Sequence, residues 1–357
     1  MPYERPEIQQ MKGYLPGEQP GESGVIKLNT NENPYPASPK VAAALGAIRV
    51  EDLRRYPSPS ADAFRQAAAA YHGLGVENFL PTNGGDELLR LAITTFAGSG
   101  DTIGIARPGY SLYPVLAAIQ GCTVAIVDLE QDWSLPLNFA ERLNAAGARL
   151  AMIVNPHAPS GVLLSADAVV EVAEHFNGVL LVDEAYVDFV DPQQNHNLVP
   201  RIRDLDNLLL LRTLSKGFSL AGLRFGYGIG SPAVIEPMLT KTRDSYNTDY
   251  ISQQLAAAAI ASVDYGRQIW KQVRKERRRL KDKLEQMGFA CPPSQSNFLL
   301  ATVPPDRDAA ALYEMLKQHR ILVRYFDQER LRDKLRISVG SAEENQALLR
   351  ALEISLS

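Results

Sequence analysis

From about residue 79 to residue 212, short apolar runs alternate with longer segments whose apolar residues recur at spacings of three and four. That alternation restricts the chain to α/β architectures with a mostly parallel sheet, because each parallel strand needs a crossover before the next can begin. Strands are expected over 79–82, 102–106, 123–127, 150–154, 179–183 and 208–212, and helices over 86–96, 112–119, 166–176 and 232–240. The runs Val179–Asp183 and Leu208–Arg212 carry no polar alternation, as befits strands buried on both faces. Ligands of such sheets sit beyond the carboxyl ends of the strands, where residues distant in sequence converge.

Directly after the last of these strands comes Leu211-Arg212-Thr213-Leu214-Ser215-Lys216-Gly217-Phe218, with Arg224 downstream. An isolated Ser-Lys pair is usually an exposed turn, but here an acid, Asp183, closes the preceding apolar run. A lysine amine can condense with the aldehyde of pyridoxal phosphate, while Thr213, Ser215 and Arg224 offer hydroxyl and guanidinium donors for its phosphate. A buried aspartate beside the ring nitrogen favours its protonated form by direct charge pairing, which is the role expected of Asp183.

With 357 residues, 45% hydrophobic and 22% charged, the chain can bury a large core and divide into lobes. A formal charge of -4 excludes a general nucleic-acid binder and leaves small molecules as the expected partners. Cys122 and Cys291 are too few and too distant for a disulfide framework or a metal site, so both read as small buried residues of a reduced compartment. No stretch is apolar enough for a membrane helix and the first residues lack a secretory pattern, so a cytoplasmic protein is expected. Residues 251–287 read as one or two long helices whose basic run, Arg274 to Arg279, is interspersed with acids and reads as a solvated face. Strands over 298–301, 321–323 and 335–339 then suggest a smaller α+β unit. The first forty residues, rich in Pro, Gly and Asn, read as an extended arm rather than a core. The division expected is an arm (1–39) joining the small unit and the active site, a large cofactor-binding domain (40–250) and a small domain (251–357). Ala67 to Ala70 is ordinary helix. Gly226-Tyr227-Gly228-Ile229-Gly230 raises a nucleotide-binding oxidoreductase only weakly, since it lacks the G-x-G-x-x-G order.

The motifs Leu28-Asn29-Thr30-Asn31-Glu32-Asn33-Pro34, Arg55-Tyr56-Pro57, Asn83-Gly84-Gly85-Asp86-Glu87, Pro108-Gly109-Tyr110, Val182-Asp183-Glu184-Ala185-Tyr186, Arg212-Thr213-Leu214-Ser215-Lys216, Gly222-Leu223-Arg224 and Arg336-Ile337-Ser338-Val339-Gly340 follow one another over nearly the whole chain. In that order they resemble fold-type I, class II pyridoxal-phosphate aminotransferases, and together the histidinol-phosphate aminotransferase family. The resemblance implies a large domain with a mostly parallel central sheet flanked by helices, a smaller α+β domain and an N-terminal arm. It implies that the backbone amides of Gly85 and Asp86, opening a helix, hold the cofactor phosphate, as a helix N-terminus does without further help. It also places Tyr110 against the ring, Tyr186 on its phenolic oxygen, Asn155 among the cofactor residues, and Tyr56 on the phosphate of the other subunit, hence a homodimer with shared sites. Arg336 and Arg324 match two arginines that grip anionic substrate groups, and Tyr14 the arm tyrosine that closes over the substrate phosphate.

The implied reaction moves an amino group between glutamate or 2-oxoglutarate and histidinol phosphate or imidazole-acetol phosphate, a step of histidine biosynthesis, with Lys216 as anchor and then base. An aromatic amino-acid aminotransferase and a threonine-phosphate decarboxylase resemble the same branch. A pyridoxal-phosphate-sensing regulator would need an added DNA-binding domain, for which the arm is too short. One departure stands out. The family commonly reads Asn-Pro-Asn-Asn-Pro-Thr-Gly where this chain has Asn155-Pro156-His157-Ala158-Pro159-Ser160-Gly161. The asparagine that usually bonds the phenolic oxygen is Ala158, which leaves Tyr186 alone there unless Asn155 or His157 moves in. One donor fewer implies a raised pKa for the lysine–cofactor linkage.

Overall fold

The computed structural model describes residues 3–21 and 23–356; Met1, Pro2, Glu22 and Ser357 lie outside the described residues. Its strands, in chain order, are β1 (Ile26–Lys27), β2 (Phe79–Thr82), β3 (Thr102–Arg107), β4 (Thr123–Asp128), β5 (Ala148–Val154), β6 (Val179–Asp183), β7 (Leu208–Thr213), β8 (Gly226–Gly230), β9 (Phe298–Thr302), β10 (Ile321–Leu322), β11 (Arg324–Tyr325) and β12 (Lys334–Ser338). Seven of them make the central sheet in the order β2-β8-β7-β6-β5-β3-β4. All its pairs are parallel except those of β8, which runs antiparallel to both β2 and β7.

The six strands expected here all form, and β8 is the addition. Its glycines hid it from the apolar pattern, and their purpose is packing. A Cβ on Gly226 would come 2.8 Å from the carbonyl carbon of Gly84 and 2.9 Å from Gly85 N, and one on Gly228 would meet Leu88 at 3.0 Å. The glycines let the helix Gly84–Phe96 settle onto the sheet, which excludes the nucleotide-binding reading of that run. The helix expected over 232–240 is split: α-helix Pro232–Pro237 passes into a π-helical turn, Met238–Thr242, where Pro237 has no N–H to continue the ladder.

Alternation along the buried strands builds a core on each face of the sheet. Leu180, Val182, Leu208 and Leu210 join Phe64, Phe189 and Phe225 on one side, while Leu181, Leu209 and Leu211 join Leu88, Leu89 and Tyr113 on the other. A third core belongs to the smaller lobe, where Leu280 and Leu284 pack with Leu299, Leu312, Leu335, Ile337 and Leu348. The helix Tyr250–Ile260, assigned above to the smaller unit, instead buries Leu255, Ala256 and Ala259 in the large core. The next helix, Val263–Gln286, is shared: Trp270 and Val273 face the large core, Leu280 and Leu284 the small one. Its basic run is not wholly solvated. Arg277 is buried and donates to the carbonyls of Phe189 (3.1 Å) and Ser296 (2.7 Å), bridging the lobes, and Glu276 is buried beside it. Cys122 is buried as expected, but Cys291 is only half-buried, and burial still pushes its thiol up to about 12.

The arm departs from a purely extended connector. β1 pairs in parallel with β10, and Leu28 is buried in the small-lobe core. Leu28→Ala is expected to destabilise the protein by about 2–5 kcal/mol, the usual cost of emptying a buried leucine site. A urea denaturation midpoint unchanged from that of the parent would count against this placement.

Candidate active site

At the carboxyl edge of β6 and β7 lies a cavity of about 660 Å³, lined from three directions: the large lobe, the small lobe and the arm. From the large lobe come Asp183, closing β6, and Thr213, closing β7, followed by Ser215 and Lys216. The Thr213 hydroxyl donates to Ser215 Oγ at 2.9 Å, and Arg224 Nη1 reaches the same Oγ at 3.4 Å. Across from them the helix Gly84–Phe96 opens on the cavity with Gly85 and Asp86. Gly84 sits at φ 76°, and a Cβ there would come 2.6 Å from Arg224 Nη2. The glycine thus keeps free the space between a helix N-terminus and a guanidinium, a cradle suited to a phosphate dianion.

Asp183 is buried, and its carboxylate accepts from Tyr113 Oη (3.0 Å) and the Ala185 N–H (3.0 Å). Neither bond brings a positive charge, and burial pushes Asp183 up to about 6 against the opposing effect of the two donors. Such a carboxylate fits a ligand that supplies a cation beside it, as a protonated pyridine nitrogen would. Lys216 Nζ donates to the Thr30 carbonyl of the arm at 2.7 Å. Burial, with Arg336 nearby, lowers its amine to about 8, within reach of the neutral form that attacks an aldehyde. The set of amine, acid, cradle and hydroxyls fits pyridoxal phosphate.

The small lobe supplies the arginines. Arg324 on β11 and Arg336 on β12 are register partners in adjacent antiparallel strands, so both project on one face. Their guanidinium carbons each stand 5.4 Å from the Phe326 ring, and Arg336 also lies 5.4 Å from Phe298. Arg336 Nη2 donates to the Asn29 carbonyl, while its buried Nε has no partner among the described residues. Two like charges directly opposite repel, so an anion entering between them gains from both.

Tyr14 and Tyr110 also line the cavity, packed edge to face at 5.8 Å, and Tyr110 Oη reaches Asp86 Oδ1 at 3.4 Å. Tyr186 lines it too. One expectation is corrected. Asn155 is not part of the lining; its amide is consumed by both backbone groups of Leu164, at 3.0 and 2.9 Å, which fold the 155–164 turn back on itself. His157 is likewise held away, between Ser160 Oγ (2.7 Å) and the Pro108 carbonyl (2.8 Å), so neither side chain replaces the amide missing at Ala158. Tyr56 lies outside this cavity, 80% exposed and stacked on Tyr246 at 4.5 Å. Reading the sequence missed Tyr113, for which a tyrosine shortly after Pro-Gly-Tyr gives no signal. It also gave no role to Thr30 and Asn31, although both stand in a motif quoted above.

The model of the aminotransferase class I and II family matches residues 23–352, and the chain belongs to that family. It is 42% identical over 351 residues, 98% of each chain, to histidinol-phosphate aminotransferase 1 of Trichormus variabilis. It is 40% identical over 350 residues to the histidinol-phosphate aminotransferase of Rhodopirellula baltica, covering 98% of this chain and 94% of that one. The crystal structure of histidinol-phosphate aminotransferase from Sinorhizobium meliloti in complex with pyridoxal-5'-phosphate superposes with a TM-score of 0.89 at 25% identity, covering 100% of this chain and 98% of that one. Within the class, the chain is a member of the histidinol-phosphate aminotransferase family.

Asp183→Asn tests the charge logic. Because the folded pKa of about 6 lies above the ordinary aspartate value, ionised Asp183 destabilises the cofactor-free protein at pH 8. The substitution should therefore leave unchanged or raise its melting temperature. It should also weaken pyridoxal phosphate binding by about 10- to 100-fold, the worth of a charge-assisted hydrogen bond. Unweakened binding would count against the pairing.

Proposed function

We propose that the protein is a pyridoxal-phosphate-dependent histidinol-phosphate:2-oxoglutarate aminotransferase, working in two half-reactions with glutamate as amino donor. The observation that carries this reading is the opposed pair Arg324 and Arg336 in the same cavity as Lys216 and Asp183. Two guanidinium groups on one face can take the carboxylates of glutamate in one half-reaction and the phosphate of the other substrate in the next. The names of the relatives carry one of these substrates, histidinol phosphate.

When bound, pyridoxal phosphate supplies an aldehyde for amines and a ring that withdraws electrons from the carbon bearing the amino group. Lys216 anchors it, held before that by the Thr30 carbonyl. With its amine free, Lys216 Nζ would act as the base that takes the proton from the substrate carbon and returns it, on the same face, to the carbon that carried the aldehyde oxygen. Asp183 holds the ring nitrogen protonated, with Tyr113 keeping the carboxylate in place. The amides of Gly85 and Asp86 with Thr213, Ser215 and Arg224 take the phosphate, and Tyr110 limits tilting of the ring. Tyr186 donates to the phenolic oxygen, and Tyr14 closes over the substrate. Tyr56, exposed beside Tyr246, serves the site of a second copy in a cytoplasmic homodimer. The working parts are the arm (1–39), a large domain that runs past residue 250 to take in the helix Tyr250–Ile260, and a small domain beyond it, with the helix Val263–Gln286 spanning the two lobes. No helix among the described residues is long and apolar enough to cross a membrane.

Purified protein supplied with pyridoxal phosphate is expected to lose its lysine-linked absorbance on addition of glutamate. Imidazole-acetol phosphate should restore it, more readily than phenylpyruvate or 4-hydroxyphenylpyruvate do. Lys216→Ala should abolish both changes. Preference for phenylpyruvate, or release of carbon dioxide in place of 2-oxoglutarate, would sink the substrate assignment. Capture of the cofactor needs the neutral amine, so its rate should climb as pH rises and level off above about 8. A rise continuing to the ordinary lysine value would argue against a lowered Lys216.

A further inference from the structure

Tyr186 Oη accepts a hydrogen bond from Asn31 Nδ2 at 3.0 Å. A phenol has one proton to give, and with Asn31 as donor that proton is left for another acceptor on the cavity side. Asn31 is itself fixed on several sides. Its N–H donates to Ser338 Oγ (2.9 Å), its Oδ1 accepts from the same hydroxyl (3.0 Å), and its carbonyl accepts from Asn297 Nδ2 (2.9 Å). Because Oδ1 is taken by the Ser338 proton, the amide is oriented with its N–H toward Tyr186. The backbone of Asn31 is left-handed, φ 56°, a conformation that asparagine tolerates better than most residues. Ser338 lies on β12, the strand that carries Arg336. Elsewhere in the lining, Ala158 has no side-chain amide, and Asn155 and His157 are engaged by other partners.

We propose that Asn31 is a positioning residue for the phenolic oxygen of the bound cofactor. It aims the Tyr186 proton at that oxygen and, through Ser338, joins it to the strand of the substrate-gripping Arg336. This rests on the reading of the site given above. The arm thereby does through Tyr186 what an asparagine at 158 would do directly. Arg336, Asp183 and Tyr14 also act on the phenol electrostatically, and the Phe298 ring packs edge-on against it at 5.0 Å. All four are unchanged in the single variants below, so a difference between those and the parent belongs to residue 31.

The test is a pH titration of the lysine-linked absorbance in protein loaded with pyridoxal phosphate. A donor to the phenolic oxygen spreads its negative charge and loosens the proton on the linked nitrogen, so loss of the donor raises the midpoint. Asn31→Gly suits the left-handed backbone and adds no charge; it should raise the midpoint by about 0.5–1 unit, the worth of one hydrogen bond. Asn31→Asp, which accepts where asparagine donates, should raise it further. Adding Ala158→Asn to Asn31→Gly should bring the midpoint back toward the parent value, a rescue that a merely structural role would not give. Midpoints equal to the parent's in both single variants would overturn the role of Asn31 and leave the rest of the site standing. A parent that shows no such absorbance would overturn both readings together.

Discussion

One buried ion pair sets the geometry on which the cavity depends. Arg212 Nε and Glu184 Oε2 meet at 2.6 Å, both side chains almost wholly enclosed. Each is the sequence neighbour of a cavity residue: Glu184 follows Asp183, and Arg212 precedes Thr213. Consecutive residues of extended chain point to opposite sides, so a lock between 184 and 212 on the far side fixes Asp183 and Thr213 on the near side. Burial opposes the charge of Arg212, yet Glu184, Tyr227 and Asp188 outweigh it and hold the guanidinium protonated. Removing one partner would strand the other without water, a loss of about 3–5 kcal/mol in comparable buried pairs.

Around that fixed edge the site divides by chemistry. The large lobe supplies what a planar, phosphorylated heterocycle requires: an acid, an amine, hydroxyls and a helix N-terminus. The small lobe supplies cationic grips whose ring-stacked faces need no water. Between them runs the arm, bound to the small lobe through β1 and Leu28 yet touching Lys216 and Tyr186. A shift of the small lobe therefore reaches the reactive amine along the backbone of a few residues rather than through the core.

Strands β6 and β7 were legible because their apolar runs are continuous and end in polar groups, and the large sheet and its ligand edge followed from them. β8 was not, because its glycines are chosen by the helix lying on them, a relation that no local pattern encodes. The lysine and the acid could be read because each sits in a motif with chemistry of its own, whereas the two arginines were singled out only by the family resemblance. Asn31 and Tyr113 could not, since their roles exist only where chains 155 and 70 residues apart meet. Asn155 misled for the converse reason: its residue type suits a cofactor, but a local turn had already claimed both ends of its amide.

The facing positions of residues 324 and 336 carry a final consequence. Side chains alternate along a strand, so sliding β11 past β12 by a single place would turn one guanidinium to the reverse side of the ribbon. Recognition of the anion is thus encoded in main-chain pairing. The connection between the two strands is free to vary in length or composition only so far as that alignment survives.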